Sequence, residues 1–239
     1  MKSHLFPNKL QQNCENITPR NIFHQQPYRT NRNTSSSGFT LLEVLVAIVI
    51  VGILSAIIGP SWLGFINIQH LNKANDNVFS ALQEAQRQAK KTKRGYSVSF
   101  RKNNKNTNIV EYAIYPTKNI FDEKDKDVDP DDVKIWKPLG EELGINPEKF
   151  LVATNLTDKN NAKGDKVKSL SETKTIAFDY RGTLPLPKDA EMPFKIVLAT
   201  PNKPNSNKPS DAKRCVIVET LVGGIRTAKN EDCDNNTWR

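Results

Sequence analysis

Histidine is almost missing from this sequence. Only His4, His24 and His70 occur, and none follows residue 70. Beyond that point no imidazole can serve as base, nucleophile partner or metal ligand, which excludes Ser-His-Asp chemistry and histidine-based zinc sites there. Cysteine is scarce too: Cys14, Cys215 and Cys233 have no zinc-type spacing. A phosphate-binding P-loop, a dinucleotide fingerprint and a nucleophile elbow are all lacking. Carboxylates are plentiful, but no spacing marks a catalytic pair, so the chain is not expected to be an enzyme or to hold a cofactor or metal. The run Asp125, Asp127, Asp129 invites a calcium reading, yet Pro130 and Trp136 stand where an EF-hand loop needs Gly and Glu. A solvated charged loop is the expectation, with a calcium loop of another kind as the alternative.

A second lack is more informative. No charged residue occurs from Val44 to Ile66. A helix needs about 20 such residues to cross a bilayer core, so the stretch is long enough. Arg20, Arg29 and Arg32 precede it, while Lys73 alone follows it before Arg87. By the positive-inside rule the N-terminal side stays in the cytoplasm and the rest lies outside. A cleavable secretory signal fits poorly, because the run is long for one and no A-x-A-like site follows it. The small residues Ser37 and Gly38 come before the run instead. Cutting there would remove a basic leader and keep the apolar helix.

Glu43 sits near the front of this run. A charge within the membrane costs about 2.5–3.5 kcal/mol on insertion scales, and it persists where it has a partner. If the chain is cut after Gly38, Phe39 gains a free α-amine. Glu43, four residues on, lies on the same helical face and in the first turn, where the helix dipole favours a negative charge. It can pair with that amine, its own or a neighbour's.

The segment Gly38-Phe39-Thr40-Leu41-Leu42-Glu43-Val44-Leu45-Val46-Ala47 resembles the cleavage and methylation motif of type IV prepilins and type II secretion pseudopilins. The resemblance implies cleavage after Gly38 by prepilin peptidase, N-methylation of Phe39, and pairing of Glu43 with the Phe39 amine of an adjacent subunit. It implies further partners: other pilin or pseudopilin subunits, an inner-membrane assembly platform, and the lipid bilayer before assembly. Pro60 matches the family's helix-breaking proline. It removes one backbone hydrogen bond and frees the carbonyl of Ala56, and Gly59 loosens the same turn, so a kink or local melting is expected there.

Leu71, Ala74, Val78, Leu82, Ala85 and Ala89 recur at three and four, the spacing of an amphipathic helix. Basic residues from Arg87 to Arg94 fill its last turns and Gly95 is placed to end it. The reading is one helix over about 40–94. Strands are expected at 96–100, 109–115, 174–178, 194–199, 215–221 and 225–228, the last two joined by a two-residue turn at Gly223-Gly224. Residues 116–172 are mixed, and the stretches 121–132 and 200–213 read as loops. The expected organisation is a leader (1–38), an assembly helix (39–66), its amphipathic continuation (67–95) and a β head (96–239). The fold class is α+β and pilin-like, with a long N-terminal transmembrane-plus-amphipathic helix packed on one antiparallel sheet.

Within that superfamily, Thr175–Leu184 and the terminal segment 215–233 resemble the GspH/FimT branch of minor subunits. Branch members with a DNA-uptake role resemble a Gly-Arg-x-Arg pattern. Here Gly223-Gly224-Ile225-Arg226 holds one arginine fewer. Arg226, Lys229 and Arg239 are the candidate DNA contacts, and Trp238 is a candidate base-stacking platform. The basic residues at 87–94 read equally as phosphate contacts or as cations favoured by the helix C-terminus. Outside the cytoplasm Cys215 and Cys233 are most simply a disulfide, closing a loop of about 19 residues worth about 3 kcal/mol; two free thiols are the alternative. The functional expectation is a minor pilin or pseudopilin of a type IV pilus or type II secretion pseudopilus. A DNA-binding minor pilin and a plain signal-anchored envelope protein are the alternatives.

Overall fold

The computed structural model describes residues 38–118, 126–203, 206–234 and 238, with the side chains at 58–61 and 63 left aside. The leader up to Ser37, with Cys14, lies outside the described residues, as do Asp125 and Arg239. The chain divides into two compact units, one running to Val49 and one beginning at Ile50.

In the first unit the described residues open helix α1 (Leu41–Thr92). Thr40 precedes the helix, and its hydroxyl accepts a hydrogen bond from the Glu43 backbone N–H at 3.2 Å. Thr40-Leu41-Leu42-Glu43 is thus a capping-box sequence whose threonine half is made. Every residue from Phe39 to Val49 is exposed.

The second unit holds the rest of α1 and all the strands. The helix assignment runs on through Gly59 and Pro60, so the expected local melting is not a gap in the helix; a bend remains a proposal. Among the described residues no helix is long and apolar enough to cross a membrane. The uncharged run of the sequence is described with its side chains only in pieces, since those at 58–61 and 63 are left aside. Further on, Leu71, Ala74, Val78, Leu82, Ala85 and Ala89 are all buried, as their spacing predicts. Each fully buried Leu or Val contributes about 1.5–3 kcal/mol of apolar burial. The helix does not end on Gly95. Lys93 takes the left-handed conformation (φ 56°), and the Arg94 N–H donates to the Ala89 carbonyl at 3.3 Å, the closing bond of a Schellman cap. Gly95 is needed for space instead. A Cβ there would lie 3.1 Å from the Phe178 carbonyl oxygen and 3.2 Å from Thr117 Cβ.

Two main antiparallel sheets replace the single expected one. The first has the order β3-β2-β1-β8, formed by β1 (Tyr96–Lys102), β2 (Val110–Pro116), β3 (Lys137–Pro138) and β8 (Lys174–Phe178). The second has the order β11-β10-β9-β4-β7, formed by β4 (Leu151–Thr154), β7 (Lys168–Ser169), β9 (Phe194–Pro201), β10 (Pro209–Val218) and β11 (Ile225–Lys229). A small hairpin, β5 (Leu156–Asp158) with β6 (Asn161–Ala162), stands apart. One core joins the helix stripe to Val98, Phe100 and Ile176 of the first sheet and Ile196, Leu198 and Val216 of the second. The other face of the first sheet is polar. Ser99 Oγ lies 2.7 Å from Tyr115 Oη and 2.6 Å from Thr175 Oγ1, and burial raises the pKa of the Tyr115 hydroxyl.

Two asparagines complete the sheets with their side chains. Asn160, buried and at φ 51°, accepts from the Ala177 N–H at 2.7 Å and donates to the Ala177 carbonyl at 2.8 Å. It satisfies the edge of β8 as a neighbouring strand would. Asn155 accepts from Lys195 N–H and donates to the Pro193 carbonyl, both at 2.8 Å.

Candidate functional site

The N-terminal site is built from apolar residues and one carboxylate. Phe39 and Leu41 are 82% and 84% exposed, and Ile48 is 66% exposed. Phe39, Leu41, Val44, Leu45, Ile48 and Val49 line an open apolar hollow of about 530 Å³. Apolar side chains cover this helix on all sides, a pattern suited to lipid or to packing among other helices. Glu43 lies in the first turn, where the dipole favours its charge. Among the described residues its carboxylate meets no cation. Gly38, Phe39 and Glu43 therefore share one exposed helix start.

Residues 33–59 match the family model of the prokaryotic N-terminal methylation motif. The chain carries a prepilin-type N-terminus. The match brackets Gly38, Phe39, Glu43 and Gly59 and ends one residue before Pro60. It does not reach the segments that resemble the GspH/FimT branch, and that branch is not confirmed. No curated protein and no solved structure matches the chain.

Those two distant segments nonetheless meet at one point of the second unit. Gln86 of α1 donates to the carbonyls of Gly182, at 2.8 Å, and Gly223, at 3.2 Å. Both glycines have positive φ (79° and 75°). A Cβ on Gly223 would lie 2.8 Å from the Gly182 oxygen, and one on Gly182 would lie 3.0 Å from Gln86 Cγ, so the second turn closes on the first, and the first on the helix, only without side chains there. Asp179 shapes the first turn, accepting from the N–H groups of Arg181 and Thr183 at 2.9 Å each. Burial alone would raise its pKa, but the hydrogen bonds from Thr183 and Arg181 outweigh it and hold the carboxyl below its ordinary range. The second turn is longer than the expected two residues. It spans the six positions between β10 and β11, closed by Glu219 N–H to the Gly224 carbonyl and Gly223 N–H to the Thr220 carbonyl.

At the C-terminus Cys215 and Cys233 form a disulfide with a Cα–Cα distance of 5.5 Å. It fastens the tail to the outer face of the second sheet, over Val197, Ile217 and Ala228. Lys213 donates to Asp234 at 2.9 Å, and the two side chains are 9% and 0% exposed. Trp238 is buried in the same cluster and its backbone N–H donates to the Asp234 carboxylate at 3.1 Å. The expectation that Trp238 stacks on a nucleic-acid base is overturned, because its ring is spent covering the sheet.

Of the candidate DNA contacts, Arg226 is paired with Glu219 and Lys229 is exposed at the end of β11, while Arg239 is not described. In the helical cluster Arg87 is paired with Glu84, and the hydrogen bond from Arg87 lowers the Glu84 pKa. In the acidic loop Asp127 binds Lys159 at 2.6 Å, and Asp129 caps a short 3-10 turn through the Asp131 N–H. Sequence reasoning missed Thr40, Gln86, Asn155, Asn160 and the Lys213–Asp234 pair. Only Thr40 left a local signal, its T-x-x-E spacing to Glu43.

Proposed function

We propose that the chain is a minor pilin or pseudopilin subunit, processed by prepilin peptidase and assembled into a type IV pilus or a type II secretion pseudopilus. The supporting observation is the match at residues 33–59, which contains an exposed helix start with Gly38, Phe39 and a Glu43 that meets no cation among the described residues. In this reading the apolar part of α1 spans the inner membrane, N-terminus in the cytoplasm and head in the periplasm, until it is drawn into a filament. Cleavage after Gly38 frees the Phe39 amine, which becomes the substrate of methylation. A neighbour's Glu43 then neutralises that amine inside a bundle of apolar helices, where an unpaired charge is expensive. Gly59 and Pro60 let the helix bend or melt as it packs. The role is mechanical and the head offers the surface that other subunits or cargo meet.

The reading is tested by co-expressing the chain with a prepilin peptidase. The wild-type chain shortens by its leader, and Gly38→Leu stays full length. A wild-type chain that is not shortened would contradict the proposal and favour a plain signal anchor. A DNA-uptake role through Arg226, Lys229 and Arg239 predicts a salt-sensitive shift of duplex DNA by the purified chain. No shift at low salt removes it.

A further inference from the structure

The second unit holds a cleft of about 530 Å³ between the β4–β5 segment and the chain leading from β6 through β7 to β8. Lys163, Lys166, Lys168 and Lys174 line it, and no carboxylate does. Two acidic residues of this stretch are turned to partners outside the lining. Asp165 pairs with Lys195 at 3.1 Å, and Glu191 accepts from the Gly164 N–H at 2.7 Å. Glu172 takes only Lys174, at 3.1 Å. Lys163, Lys166 and Lys168 are exposed and have no ion-pair partner among the described residues.

Clustering three uncompensated lysines at one cleft costs mutual repulsion, which a multivalent anion relieves. The remaining lining narrows the ligand. Ser169 and Ser171 present hydroxyls that make no hydrogen bond among the described residues, beside a floor of buried Leu156 and Leu170. No aromatic ring lines the cleft, so it has no platform on which bases stack. Cations interleaved with free hydroxyls suit a ligand that is itself anionic and hydroxylated. The volume falls in the range of small-ligand sites, about 300–1,000 Å³.

We propose that this cleft binds an acidic polysaccharide through carboxylates held by Lys163, Lys166 and Lys168 and hydroxyls held by Ser169 and Ser171. The assignment goes beyond the filament reading and does not depend on it. A chain that fails to assemble still binds, and a chain that fails to bind still assembles.

The test is fluorescence anisotropy of labelled tetragalacturonate with the purified full-length chain in detergent. Binding is expected at low salt and weakens as salt rises. The triple variant Lys163→Ala/Lys166→Ala/Lys168→Ala is expected to lose about ten-fold or more in affinity with unchanged circular dichroism and melting midpoint. The equally charge-altered Lys91→Ala/Lys188→Ala/Lys203→Ala binds as the wild type. Absence of binding at low salt overturns the proposal, as does equal loss in both triple variants. Tighter retention of a short single-stranded oligonucleotide through the same three lysines overturns the polysaccharide assignment in favour of nucleic acid.

Discussion

The two stretches of α1 follow one backbone geometry and opposite chemistry. From Phe39 to Ile57 its large apolar residues are exposed on every side. From Leu71 to Ala89 one stripe is buried and the intervening Lys73, Asp76 and Gln83 face water. The second stretch is complete within its own chain, since its stripe meets both sheets. The first is incomplete alone and must find lipid or other helices. Glu43 is the single charge in the incomplete stretch, and in the proposed reading a partner's terminal amine neutralises it.

The comparison is broken most directly by Glu43→Gln, which keeps size and shape and removes the charge. Loss of incorporation into filaments, measured in sheared surface fractions, is expected to be essentially complete, with the head folded normally. Normal incorporation would show that the first stretch needs only apolar packing. In the complete part of the molecule the effects are on stability. Lys213→Ala removes the cation paired with the buried Asp234 carboxylate and is expected to cost about 3–5 kcal/mol in urea denaturation. Replacing Cys215 and Cys233 by Ser opens a loop whose ends are 18 positions apart and should cost about 3 kcal/mol; dithiothreitol should mimic it in the wild type and leave the variant unmoved. The smallest effect is a pH dependence. Because the Asp179 pKa is lowered on folding, its charge stabilises the native state above the unfolded value of about 3.9. That contribution fades as pH falls through the lower folded value. Asp179→Asn keeps the acceptor for Arg181 and Thr183, so it should flatten only the acid limb of the stability curve.

Much of the head was legible because its signals are local. The stripe from Leu71 to Ala89 follows the helical period. The alternation in Tyr96–Phe100 sends Val98 and Phe100 to the core and Ser97 and Ser99 to the polar face. Residues 116–172 were not legible, because β3, β6 and β7 have two residues each and carry no period at all. Their places are set by long-range bonds such as those of Asn155 and Asn160. The helix end was misread for a related reason: Lys93 turns left-handed, while Gly95 is demanded by its distant neighbours Phe178 and Thr117. The same cause explains Trp238, whose burial depends on a disulfide and an ion pair that bring the tail onto the sheet. The N-terminal site lay at the other extreme. There the motif over residues 33–59 was legible because it is a local pattern of residue types at fixed spacing; the roles of Gly38, Phe39 and Glu43 within it belong to the proposal.

The central claim is that the mature chain begins with an amine at Phe39 able to meet Glu43. Mass spectrometry of the N-terminal peptide, from the protein purified out of its own membranes, tests it most directly. The account predicts a peptide starting at N-methylated Phe39, with nothing up to Gly38 attached. A peptide that still joins Gly38 to Phe39 in the assembled protein would contradict it.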